Sequence, residues 1–112
     1  MIVKVYNIGK FILTMNLIIF EVLDKSGRKI RLTKEQWSKI RKKHPEIEHE
    51  DLIKETIENP TKLTSHSYDE TVYKFYKYYK NRLYPEKFLM ALVKYLNGDG
   101  FVITAHYMDK IL

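Results

Sequence analysis

KFLMALVKYLNGDGFVITAHYM, residues 87–108, is the stretch whose reading decides the fold. Two apolar runs flank Asn97-Gly98-Asp99-Gly100, which carries both an N-G and a D-G dipeptide, the strongest short-range hairpin signal in the chain. In the second run Thr104 and His106 stand two apart, so a strand places them on one face. Ala105 and Ile103 then take the other face with Phe101, which is the pattern of a sheet with one wet surface.

Working outward, residues 70–80 and 61–65 also show the period of two and the β-branched and aromatic content of strands. Upstream the period changes to that of a helix. Thr33 and Gln36 have capping-box spacing, T-x-x-Q, and Trp37, Ile40 and His44 follow on one face until Pro45 stops the helix. A second helix is predicted over 50–58, with Leu52, Ile53, Thr56 and Ile57 inward and Asn59-Pro60 as its stop. Before the helices, 17–23 and 28–32 read as a hairpin around Asp24-Lys25-Ser26-Gly27, and 1–6 as a further strand ending in a turn at 7–9. The expected fold is α+β, with short helices packed on one face of an antiparallel sheet.

At 112 residues the chain is read as one domain, 1–112, and Met15 offers an alternative start that makes 1–14 an N-terminal appendage. Without cysteine there is no disulfide framework, thiolate metal site or cysteine nucleophile. The apolar segment 11–20 is too short to span a bilayer as a helix and lacks a cleavage pattern, so a cytoplasmic protein is expected. The net charge of +6 favours an anionic partner, and its distribution is uneven. Residues 31–44 hold six basic side chains and one acidic, 46–58 the reverse, and 71–95 again six basic to one acidic.

Cations, rings, a hydroxyl and imidazoles on one sheet suit a nucleic-acid backbone. Lys74, Tyr76, Lys77, Tyr78, Lys80 and Tyr107 are the candidates for RNA contact, rings stacking on bases and lysines meeting phosphates. Cross-strand aromatic pairing with lysine on the solvent face explains the same run without function. Lys94 interrupts an apolar strand and needs a reason, either catalytic or as a charge guarding a sheet edge. None of the four histidines has i, i+4 spacing to another, so neither a metal nor another cofactor is expected.

The pieces R-L-T-x-x-x-W-x-x-I-x-x-x-H-P-E-I, from Arg31 to Ile47, and G-F-V-I-T-A, from Gly100 to Ala105, have a further meaning together with Asn59-Pro60 and Tyr78-Tyr79-Lys80. They resemble a group of small prokaryotic and phage-associated domains of the barnase–EndoU–colicin E5/D–RelE-like nuclease superfamily, over nearly all of the chain from Leu17 onward. The resemblance implies helices preceding a curved antiparallel sheet, metal-independent cleavage of single-stranded RNA, and a toxin or effector role with an antitoxin or immunity-type partner. It carries His44 and Thr104 over as site residues; His106 stands where the pattern has an aromatic. With His44 and His106 as base and acid in either order, Lys94 as the charge stabiliser and Thr104 holding a phosphate oxygen, cleavage through the 2′-hydroxyl can be written. The alternatives are a non-catalytic RNA-binding module using the same sheet, and a protein-interaction domain using the acidic helix.

Overall fold

A computed structural model describes residues 17–112; the strand and turn expected over 1–9 and the alternative start at Met15 lie outside the described residues. The elements are β1 (Ile18–Leu23), β2 (Lys29–Thr33), α1 (Lys34–Lys43), α2 (Glu50–Glu58), β3 (Lys62–Ser65), β4 (Val72–Tyr78), β5 (Phe88–Leu96) and β6 (Asp99–Met108). The fold is α+β, as its residues predict. Among the described residues no helix is long and apolar enough to cross a membrane.

The six strands form one sheet in the order β1-β2-β6-β5-β4-β3. Every neighbouring pair is antiparallel except β2 and β6, which run parallel through Ile30 opposite Gly100 and Arg31 opposite Phe101. The sheet is therefore mixed, a correction to the antiparallel expectation. Alternation assigns a residue to a face but says nothing of a neighbour's direction, and β2 finds its inner partner far away in sequence.

The core lies between the helices and one face of the sheet. Ile30 and Leu32 from β2, Phe75 from β4, Leu89, Ala91 and Val93 from β5 and Ala105 from β6 meet Ile40 of α1 and Ile53 and Ile57 of α2. Each large aliphatic among them contributes about 1.5–3 kcal/mol relative to an exposed position. Thr33 caps α1, its hydroxyl accepting from the Gln36 amide at 3.1 Å. The reciprocal half of the expected capping box is not made, because the Gln36 side chain turns away to donate to the carbonyl of Ile103 on β6.

The two glycines of the final hairpin do different work, and only Gly98 does that of the turn read from the sequence. Asn97 (φ 55°) and Gly98 (φ 86°) form the turn, the two positive-φ residues of a type I′ hairpin. Gly100, by contrast, is a buried strand residue against which β2 and β5 close. A Cβ there would lie 2.9 Å from Ile30 Cγ1, 3.0 Å from Tyr95 Cε1 and 3.1 Å from Val93 Cγ1. Gly100→Ala is expected to destabilise the fold by about 1–3 kcal/mol through overpacking, read as a lower urea midpoint at unchanged slope.

The first hairpin loop holds a buried carboxylate. Asp24 is 8% exposed and accepts from the Ser26 amide (2.8 Å), the Ser26 hydroxyl (2.6 Å), the Arg28 amide (3.0 Å) and the Tyr95 hydroxyl (2.7 Å). The Arg28 guanidinium lies 3.7 Å above the Tyr95 ring and 3.4 Å from the same carboxylate. A loop that reads as a simple turn is thus the joint between β1, β2 and β5.

Candidate active site

A register shift creates the site's floor. Between the pairs Leu92–Thr104 and Val93–Val102 one residue of β6, Ile103, is left over as a bulge. The bulge turns Val102 and Ala105 into the core and puts Phe101, Thr104 and His106 on the opposite face. Phe101 therefore shares a face with Thr104 and His106, a correction to strict alternation, and Ile103 is exposed. Beyond Phe101, β6 has no pairing with β2, and α1 lies alongside it instead, held there by Gln36 on the Ile103 carbonyl.

The result is a groove of about 730 Å³ between α1 and β6, lined by Gln36, Lys39, Lys42, Lys43 and His44 from the helix side and Thr104 and His106 from the strand. His44 is the C-cap of α1, its N–H donating to the Ile40 carbonyl at 2.7 Å. Its ring stacks on that of His106, with centroids 5.2 Å apart and planes at 30°. Each imidazole has a neighbour at Nδ1: for His44 the Glu46 carboxylate at 3.5 Å, for His106 the Tyr107 carbonyl at 3.3 Å. Three of the four residues predicted to carry chemistry, His44, Thr104 and His106, are thus brought together from two distant parts of the chain.

Lys94 stands apart. It is on the same face but opposite Phe101 rather than Thr104, and its ammonium is 2.9 Å from Asp69. The Thr71 hydroxyl and Lys94 together hold the Asp69 carboxyl well below the usual carboxylate range. The cations that do line the groove, Lys39, Lys42 and Lys43, are those behind the positive cluster of 31–44, but sequence alone did not say which would point there.

The residues predicted to contact RNA divide among three environments. Lys74 lies in the cross-sheet row with Leu92 and Thr104, half-exposed on the open face. Tyr76 occupies the next row with Met90 and His106 but is 0% exposed, so its ring has no free surface on which a base can stack. Lys77 is on the helix side and donates to the Asn59 carbonyl at 3.1 Å. Tyr78, Lys80 and Tyr107 line a second cleft of about 640 Å³, with Glu46, Glu48 and Arg82. Arg82, which no sequence signal singled out, covers the Tyr107 ring at 3.6 Å and approaches Tyr84 at 4.9 Å. Burial raises the Tyr107 hydroxyl above the ordinary phenol value, Arg82 offsetting only part of this while Glu48 and Glu46 add to it.

Among the described residues no three histidine, aspartate or glutamate side chains gather as a metal site. No protein-family model, curated protein or solved structure matches the chain.

Proposed function

We propose that this protein is a metal-independent ribonuclease, acting on single-stranded RNA in the α1–β6 groove. The observation that carries the reading is the stacked His44–His106 pair in a groove whose helix side bears Lys39, Lys42 and Lys43. Histidine is the side chain whose ordinary titration lies near neutrality, so one imidazole can accept a proton while the other gives one. In the proposed reaction one imidazole takes the proton of the 2′-hydroxyl, whose oxygen attacks phosphorus. The bond from phosphorus to the 5′-oxygen breaks, and the other histidine, as imidazolium, protonates that oxygen. The products are a 2′,3′-cyclic phosphate and a 5′-hydroxyl. The groove lysines balance the charge that builds on the phosphorane, and the Thr104 hydroxyl positions a phosphate oxygen. This assignment gives the lysines of α1 the role that sequence reading gave to Lys94. The reading extends to a barnase- or RelE-like fold and a toxin-like role, supported by two helices preceding a four-strand meander.

The test is incubation of mixed-sequence single-stranded RNA with purified protein in EDTA. Cleavage with cyclic-phosphate ends is expected, and Lys39→Ala/Lys42→Ala/Lys43→Ala is expected to weaken RNA binding and flatten its salt dependence. Salt-dependent binding without any cleavage would leave a non-catalytic RNA-binding module in place of the enzyme.

A further inference from the structure

The turn that follows α1 is clamped in a way the groove alone does not require. The Ile47 amide donates to the His44 carbonyl at 3.1 Å, closing the turn His44-Pro45-Glu46-Ile47, and Ile47 is fully buried. Arg41, one helical turn earlier, donates from Nη1 to the carbonyls of both Pro45 (3.1 Å) and Ile47 (2.6 Å). Its guanidinium, 5.7 Å from the centre of the Trp37 ring, is thereby committed to the backbone and not to the adjacent carboxylate. Glu46 is left on a fixed backbone with its carboxylate facing His44 Nδ1.

We infer that Glu46 is a positioning residue for His44, holding the imidazole in its Nδ1–H form so that Nε2 is the nitrogen that exchanges protons with substrate. A carboxylate accepts and does not donate, so the nitrogen facing it carries the hydrogen. The Tyr107 carbonyl makes the same demand of His106 Nδ1, because a carbonyl also only accepts. The two rings are therefore a matched pair, each anchored through Nδ1 and each working through Nε2. This inference rests on the proposed ribonuclease site, but its structural half is independent of cleavage.

The experiment is long-range proton–nitrogen NMR of the histidine rings in the full chain, on wild type, Glu46→Ala and Glu46→Gln, alongside RNA cleavage kinetics. In the wild type, neutral His44 is expected to carry its proton at Nδ1. Glu46→Ala moves it toward the Nε2–H form, and Glu46→Gln, whose amide can donate as well as accept, holds Nδ1–H less firmly than the carboxylate does. Unchanged signals from His49 and His66 report an intact fold. In kinetics, Glu46→Ala lowers kcat by about 2–5-fold, the scale of losing a half-exposed ion pair, at nearly constant KM. The same His44 tautomer in wild type and Glu46→Ala overturns the inference, whether or not RNA is cut. A tautomer shift in a protein that never cuts RNA confirms the role of Glu46 and removes only the ribonuclease reading.

Discussion

His106→Ala is expected to lower RNA cleavage by about 10²–10⁴-fold, the range for losing one positioned proton-transfer group, while changing RNA affinity only a few-fold. The two effects separate because His106 is one imidazole in a groove whose attraction for phosphate resides in Lys39, Lys42 and Lys43. His44→Ala is expected to behave alike, and the double variant to lose little more than either single one, since base and acid act as a unit. The wild-type rate should rise and fall with pH, as a reaction that needs both a base and an acid does, and the single variants should lose that shape. Cleavage that survives both substitutions would place the reaction elsewhere on the molecule.

The second large effect concerns stability. Asp24→Ala removes the acceptor for two amides and two hydroxyls, and leaves the buried Tyr95 hydroxyl without its partner. The expected loss is about 3 kcal/mol, given the strength of hydrogen bonds to a charged group and the cost of an unpaired buried donor. That corresponds to a fall of about 10–20 °C in Tm for a domain of this size. The pH dependence follows from the same contacts. Burial alone would push the Asp24 carboxyl up, but the Ser26 and Tyr95 hydroxyls and the Arg28 and Ser26 amides more than offset it, and the net displacement is downward. A carboxyl lowered on folding stabilises fully above its unfolded value of about 3.9, and the contribution is lost as pH falls through the folded value. Denaturant titrations should therefore show wild type losing more stability than Asp24→Ala on acidification below about pH 4. Parallel acid profiles would mean that the loop carboxylate contributes nothing through its charge.

The elements themselves were legible because each rests on local chemistry. Proline and asparagine stop the helices, the period changes from 3.6 to 2 after Pro60, and Asn97-Gly98 takes the positive φ angles its residues suit. What escaped is set by distant partners. The parallel β2–β6 pair, the bulge at Ile103 and the diversion of Gln36 to β6 each depend on a residue in another part of the chain. The site divides the same way. His44, Thr104 and His106 stand out as chemical oddities at fixed periods, and the structure gathers them. Lys94 also stood out, but Asp69 claims it, and the open-face ring of Tyr76 is covered. A lysine's chemistry can be read from sequence; its partner cannot.

The two-residue parallel junction also bears on how the chain acquires this fold. The strands β3 to β6 are joined as neighbours by short connections, so their pairing closes only small loops. The union of Ile30 with Gly100, by contrast, encloses both helices and three strands in a single large loop. Such a contact is rewarded only after most of the chain's freedom has been surrendered. The first hairpin is therefore the natural last piece to dock. Until it does, the β6 edge and the apolar undersides of the helices lack their cover, and that interval is when self-association is the greatest hazard.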